Sequence, residues 1–253
     1  MSDASITLLR GPRWSSILPH ALVEWGTMLI ITGEGDRRWQ IRPYQRAIVV
    51  LMYLREHNTQ AKIFAGLGIS EATAHTYTSA VVDPLAERAP GLLKTLREHE
   101  PDSVLLDGIL AECDRVGDGR ADYSHKHRRH GVNVQVVTDP GGRLLWLSPA
   151  PPGRTHDLTA ARTHRICERQ GIPLQTDLAY RAGPWLTTDI ARKPLQELTP
   201  TEMTLNQALA AARAPVERGV ANLKSWRILH RSRCRPNRMT SIAKAILTLE
   251  RQR

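Results

Sequence analysis

A series of strand-like segments that begins at residue 103 constrains the fold more than any other feature of the chain. Residues 103–110, 131–139 and 143–148 are short and apolar, with β-branched or aromatic side chains, as strands usually are. The last two are joined by Asp-Pro-Gly-Gly at 139–142, a sequence that favours a tight hairpin turn. Because these segments precede alternating helical and strand-like patterns, we predict an α/β fold: a mixed sheet with flanking helices. The later segments are 156–169, 172–176 and 204–222.

The part of the chain before the strands has helical patterns. Residues 45–55 are apolar at helical spacing, and a shorter helix is expected to end at the glycine-containing turn 66–68. Ser70 is then a suitable N-cap for a helix over 70–82, with Pro84 marking its approximate end. Helix, turn and capped helix in this order are typical of an all-α helix-turn-helix domain, whose second helix reads DNA. Candidate DNA contacts are Ser70, Thr73, His75 and Thr76.

These patterns divide the chain into three parts. Residues 1–36 form an N-terminal segment whose structure the sequence does not define, residues 37–100 the helix-turn-helix domain, and residues 101–253 the α/β domain with a basic C-terminal helix. No apolar run is long enough for a transmembrane helix, and the first twenty residues do not resemble a signal peptide. We therefore expect a cytoplasmic protein that does not contact membranes.

The charge of the chain favours a polyanionic partner. With 35 lysines and arginines against 25 aspartates and glutamates, its formal net charge is +10. Residues 205–253 contain eleven of these cations and only two acidic residues, Glu217 and Glu250. Such a basic segment can bind the phosphates of double-stranded DNA, although a solvated helical face would have the same composition.

Three carboxylates stand at positions that suggest metal binding. Asp107 interrupts the apolar run VLLDGIL, where a buried charge is costly unless a cation neutralises it. Asp177 follows the strand-like residues 172–176, and Glu217 lies on the expected long helix. Oxygen ligands of this kind can hold two hard cations, which could clamp both oxygens of a phosphoryl displacement. Asp157 is a rival for the second position, although it could simply cap the helix that follows it.

Positive charges accompany the third carboxylate. Arg213, Glu217 and Lys224 lie within about 40° of one another on a helix, so both cations could meet a phosphate next to the carboxylate. Surface ion pairs are the alternative. A basic loop at 123–131 contains three histidines, which would be a poor zinc site, and further cations that could contact phosphates. These cations are Lys126, Arg128 and Arg129.

Four short motifs together resemble bacterial insertion-sequence transposases of the Asp-Asp-Glu type, in the compact branch related to Harbinger elements. They are LLDG at 105–108, GRTHD at 153–157, D-x-x-Y at 177–180 and R-x3-E-x6-K at 213–224. The resemblance covers nearly the whole chain. It implies an RNase H-like catalytic domain, two Mg²⁺ (or Mn²⁺) ions, and DNA cleavage and joining by a homo-oligomer bound to inverted-repeat ends and target DNA.

The family motifs assign roles to particular residues. Asp107, Asp177 and Glu217 match the three metal-binding acids, and Arg213 and Lys224 match the basic partners of the glutamate motif. The chain departs from the motif at Ala210, where the family usually has a tyrosine.

The sequence is compatible with three functions. The resemblance favours an active transposase that cuts element ends and transfers strands into target DNA. The alternatives are an element-derived DNA-binding regulator that has lost catalysis, and a nuclease without strand transfer.

Overall fold

The computed structural model describes most of the chain. Its described residues are 20–33, 41–56, 68–114, 119–166, 174–176, 186–187 and 197–252. The proposed second acid, Asp177, and the family tyrosine, Tyr180, lie outside these residues, as does the expected first helix of the helix-turn-helix at 59–66.

The N-terminal part is helical, as predicted. Its described helices are α1 (His20–Gly33), α2 (Pro43–Glu56), α3 (Glu71–Glu87) and α4 (Leu92–His99). Ser70 caps α3, since its hydroxyl accepts a hydrogen bond from the Thr73 amide at 3.2 Å. Residues 20–33 of the N-terminal segment, whose structure the sequence did not define, form α1. Within the described residues no helix is both long and apolar enough to cross a membrane.

The recognition helix passes Pro84, its expected approximate end, and continues to Glu87. A proline inside a helix removes one backbone hydrogen bond, which packing can offset. Here α3 packs against α7 (Pro236–Glu250), where Leu85 is 1 % exposed. The Thr248 hydroxyl donates to the Leu85 carbonyl at 2.9 Å, in a buried position. Tertiary contacts therefore hold the last turn of α3.

The C-terminal part contains a mixed sheet. Its strands are β1 (Val104–Cys113), β2 (Tyr123–Ser124), β3 (Arg129–Thr138), β4 (Leu144–Leu147), β5 (Leu174–Gln175), β6 (Leu186–Thr187) and β7 (Arg231–Ser232). The central strand β1 pairs antiparallel with β3 and parallel with β5 and β7. Strand β3 also pairs antiparallel with β2 and β4, and β6 pairs parallel with β5. This confirms the predicted α/β class, a mixed sheet with flanking helices after a helical region.

The predicted hairpin turn joins β3 to β4. The Gly142 amide donates to the Asp139 carbonyl at 3.0 Å, and the Arg143 amide donates to the Asp139 carboxylate at 2.8 Å. Gly142 has φ +86, a left-handed conformation that glycine adopts without strain. The expectation of a loop over 123–131 was only partly right, because β2 and the start of β3 pair there around a turn.

Helices cover both faces of the sheet. Besides α7, they are α5 (Asp157–Thr163) and α6 (Pro200–Lys224). In the β1–β3 register Asp107 is opposite Val136 and Gly108 is opposite Gln135. Side chains opposite each other share a face, and successive side chains alternate, so Asp107 and Gly108 face opposite sides.

The two nearby helices lie on different sides. At Gly219 of α6, an added Cβ would lie 3.0 Å from Thr138 Cγ2, and Thr138 shares the face of Asp107 by register. On the other face, an added Cβ at Gly108 would collide with the Asp157 carboxylate at the start of α5. Thus α6 covers the Asp107 face and α5 begins on the Gly108 face.

One buried apolar cluster extends across the expected domain boundary at residue 100. It includes Val82 and Leu85 of α3 together with Val104 of β1 and Ile246 and Leu247 of α7. The division into domains stays a prediction, but within the described residues the helical part and the sheet share a core.

Candidate active site

Asp107 lies in the middle of the central strand. Leu106 and Ile109 of the same strand are buried, while Asp107 itself is half-buried. The Gly108 amide donates a hydrogen bond to Asp107 Oδ1 at 2.8 Å. This bond orients the carboxylate on the face of the sheet that α6 covers.

Glu217 belongs to the long helix α6, which covers the same face. The helix begins with a capping box in which Thr199 and Glu202 satisfy each other's backbone amides. Val216 and Val220 are buried and hold the helix on the sheet, while Glu217 between them is exposed. Glu217 makes no hydrogen bond or ion pair with any described residue, so its carboxylate is available to a ligand.

The two cations of the glutamate motif have different surroundings. Lys224 is exposed at the end of α6, as expected. Arg213 is half-buried, and its Nη1 donates to the Thr176 carbonyl at 3.2 Å. Arg213 therefore has a protein partner, the residue that precedes Asp177 in sequence, and the phosphate contact expected from the sequence stays a prediction.

Asp157 forms a polar network on the other face of the sheet. Its side chain is only 12 % exposed. Oδ1 accepts from Asn133 Nδ2 at 2.7 Å, and Oδ2 pairs with Lys126 Nζ at 3.0 Å. The N-cap of α5 is His156, so Asp157 lies in the first helical turn, where the helix dipole favours a negative charge.

Sequence reasoning missed two members of this network, Asn133 and Gln135. Both are buried in β3, where Gln135 Nε2 donates to Asn133 Oδ1 at 2.9 Å. The sequence could have indicated them, because apolar and amide side chains alternate in the run GVNVQVV. This alternation places the two amides on one face of an apolar strand. Buried amides of this kind need hydrogen-bond partners, and Asp157 is one.

The expected phosphate contacts of the 123–131 segment are all exposed, but two of them are paired. Lys126 binds Asp157, and Arg129 binds Glu112. Arg128 is exposed and has a left-handed backbone with φ 55. Among the described residues, no group of three or more histidine, cysteine or acidic side chains is arranged to hold a metal ion.

The pKa of His127 is lowered by burial and, to a smaller extent, by the positive charges around it. Burial lowers it below the ordinary value for histidine, and the charges of Lys126 and Lys224 lower it further, against an opposing effect of Asp157. The end of α6 is therefore close enough to the turn for their charges to interact.

The start of α3 is open to a ligand. Ser70, His75 and Thr76 are exposed and Thr73 is half-buried, bonded to Ser70. The opposite side of the helix is buried at Ala74 and Tyr77. This exposure is what DNA contact by the proposed residues requires.

Comparison with known proteins identifies the family of both parts of the chain. The family model described as "DDE superfamily endonuclease" matches residues 106–250, more than half of the chain. The model described as "Helix-turn-helix of DDE superfamily endonuclease" matches residues 39–91. No solved structure matches the chain significantly.

The curated relatives that match the chain have low sequence identity to it. The protein named "Putative nuclease HARBI1" of Mus musculus is 23% identical over 210 residues, covering 74% of this chain and 59% of the relative. Its namesake in Xenopus laevis is 24% identical over 207 residues, covering 73% of this chain and 58% of the relative. The chain thus spans less than two thirds of the length of these relatives. By the family-model match over the sheet, Asp107 and α6, this chain belongs to the DDE superfamily endonucleases.

Proposed function

We propose that the chain is a DNA transposase, which cuts the ends of an insertion element and joins them to target DNA. The observation that carries this proposal is the placement of Asp107 on the sheet face covered by α6, the helix that carries Glu217. Two carboxylates from distant parts of the sequence therefore belong to one side of the sheet. The family match supports the nuclease step, and strand transfer is our extension of it.

Asp107, Asp177 and Glu217 would hold two Mg²⁺ (or Mn²⁺) ions. The two acids that the structure describes offer only carboxylate oxygens, the ligands that these hard cations prefer. Bound there, the ions would supply electrostatic stabilisation of the negative charge that develops on the phosphodiester oxygens.

We infer that Asp177 rather than Asp157 is the second acid. Asp157 is on the Gly108 face, and its two oxygens are already engaged by Asn133 and Lys126. Asp177 follows Thr176, which is bonded to Arg213 of the same helix that carries Glu217. We therefore retain the assignment of Asp177.

The chemistry has two balanced steps. In cleavage, water adds across a phosphodiester bond at the element end and leaves a 3′-hydroxyl and a 5′-phosphate. In joining, that 3′-hydroxyl attacks a target phosphodiester and displaces its 3′-oxygen, so the number of phosphodiester bonds is unchanged. The exposed Lys224 would bind a neighbouring phosphate of the DNA backbone and align it with the carboxylates.

DNA recognition is assigned to α3. Its exposed start would enter the major groove through Ser70, Thr73, His75 and Thr76. Because both ends of an element must be held together for joining, the active form would be a homo-oligomer on DNA.

The test is nicking of a supercoiled plasmid that carries the DNA flanking the gene, with Mg²⁺ or Mn²⁺. Wild type should nick and join it, whereas Asp107→Ala and Glu217→Gln should do neither while still binding DNA. Asp114→Asn, which removes an exposed ion pair with Arg231, is the control and should act like wild type. Binding without nicking by the wild type would instead indicate a DNA-binding regulator, and nicking without joining a nuclease.

A further inference from the structure

The strand that carries Asp107 is contacted from behind by another carboxylate. Asp157 Oδ1 occupies the space that a Cβ at Gly108 would take, and the same Cβ would lie 3.1 Å from Gln135 Nε2. Only glycine allows this approach. The Asp157 carboxylate is therefore packed directly on the strand, one residue after Asp107.

Hydrogen bonds and an ion pair hold the Asp157 carboxylate in this position. Asn133 Nδ2 donates both to Asp157 Oδ1 at 2.7 Å and to the Thr155 carbonyl at 2.9 Å. Lys126 Nζ pairs with the remaining oxygen at 3.0 Å. Since Asn133 is 6 % exposed and belongs to β3, the carboxylate is fixed to the same sheet on which it packs.

Asp107 and Asp157 both contact Gly108, but they lie on opposite faces of the sheet. The Gly108 amide donates to Asp107 Oδ1 at 2.8 Å, while the missing side chain of Gly108 leaves the space for Asp157 on the opposite face. Asp157 therefore contacts the backbone of β1 behind Asp107 and not the Asp107 carboxylate itself. A shift of Gly108 would move the amide that orients the Asp107 carboxylate.

We propose that Asp157 is a positioning residue, which packs on Gly108 and thereby keeps Asp107 in the orientation that binds the divalent ions. The role rests on the proposed function, in which Asp107 is a metal ligand. Outer residues that orient metal ligands commonly change metal affinity or activity by about 10- to 100-fold when they are mutated.

The experiment measures Mn²⁺ binding to the full chain without DNA, by the loss of the free Mn²⁺ signal in electron paramagnetic resonance. Nicking rate, DNA affinity and melting temperature are measured on the same proteins. Asp157→Ala removes the contact, Asp157→Asn keeps its volume and one acceptor for Asn133, and Gly108→Ala adds the colliding methyl. The matched control is Asp114→Ala, because Asp114 loses an ion pair of the same 3.0 Å length away from the site.

We expect Asp157→Ala and Gly108→Ala to weaken Mn²⁺ binding and slow nicking by about tenfold, at unchanged ion number and DNA affinity. Asp157→Asn should stay within about threefold of wild type, since the packing and the Asn133 bond remain. Asp114→Ala should match wild type. A variant that is only less stable would have a lower melting temperature without this combination of weaker Mn²⁺ binding, slower nicking and unchanged DNA affinity.

Three results would overturn the positioning role. Wild-type Mn²⁺ affinity in Asp157→Ala or in Gly108→Ala would show that the contact does not matter. A loss in Asp157→Asn as large as in Asp157→Ala, or the loss of one bound ion, would make Asp157 a ligand itself. If the wild type neither binds Mn²⁺ nor nicks DNA, the proposed function fails as well; if it does both, only the positioning role is at stake.

Discussion

Arg213 on α6 donates its Nη1 to the backbone carbonyl of Thr176 at the end of β5, 3.2 Å away. Thr176 is completely buried, and Arg213 is half-buried. Thr176 precedes Asp177 in sequence, and Arg213 lies one helical turn before Glu217. The bond therefore joins the two segments that carry the proposed second and third acids.

We predict that Arg213→Ala slows metal-dependent nicking by about 10- to 100-fold, because a misplacement of about 1 Å at a catalytic group can have such an effect. DNA affinity should change by less than threefold, a threshold of about 0.7 kcal/mol, since the guanidinium is engaged with the protein. Rates under saturating DNA and binding by fluorescence anisotropy provide the test. Arg218→Ala, an exposed arginine on the same helix, is the control. A weaker affinity with an unchanged rate would return Arg213 to phosphate binding.

We predict the opposite pattern for Lys224→Ala. Lys224 is exposed, so its loss should weaken DNA binding and reduce the slope of log affinity against log salt by about 0.9, the value for one phosphate contact. The melting temperature should hardly change, because exposed charges contribute little to stability. Binding at several salt concentrations checks this, with the exposed Lys94→Ala on α4 as control.

The same Lys224 variant has a readout without DNA. Removing a positive charge that lowers the pKa of His127 should raise that pKa towards its ordinary value. An NMR titration of the His127 ring measures the shift. An unchanged pKa would contradict the proximity of α6 to the β2–β3 turn.

We predict that Gly219→Ala destabilises the protein. In a helix this change usually stabilises by about 0.5–1 kcal/mol. At this position the new methyl would lie 2.7 Å from the Gly142 carbonyl oxygen and 3.0 Å from Thr138 Cγ2, so α6 must shift away from the sheet. We expect a net loss of about 1–3 kcal/mol, as for other overpacked sites. Chemical denaturation measures it, and a gain in stability would contradict the close helix packing.

The Cys113 thiol should make stability depend on high pH. Burial is the main cause that raises its pKa from 9.0 to about 12. The contribution of this thiol to the free energy of unfolding is complete below pH 9, where the thiol is protonated in the folded and the unfolded chain. It is lost as pH rises towards 12, because the thiol of the unfolded chain deprotonates first. The difference in unfolding free energy between wild type and Cys113→Ala should therefore fall over this interval. A constant difference would contradict the buried thiol.

The local elements of the fold follow from the sequence. The strand-like run around Asp107, the Asp139–Gly142 turn and the Ser70 cap depend on neighbouring residues, and the structure has all three. The three acids and their order came from short motifs and stay predictions, while the family match shows the family to which the chain belongs. The identity of the second acid stays a prediction, because Asp177 lies outside the described residues.

Tertiary structure decided what no local pattern contains. Alternation along β1 determines that Asp107 and Gly108 face opposite sides, but only the packed sheet shows that α6 covers one and Asp157 the other. Likewise, α3 passes Pro84 because a helix from the far end of the chain packs against it. The physical reason is that propensity, caps and turns act over a few residues, whereas burial and buried hydrogen bonds depend on partners that only the folded chain brings together.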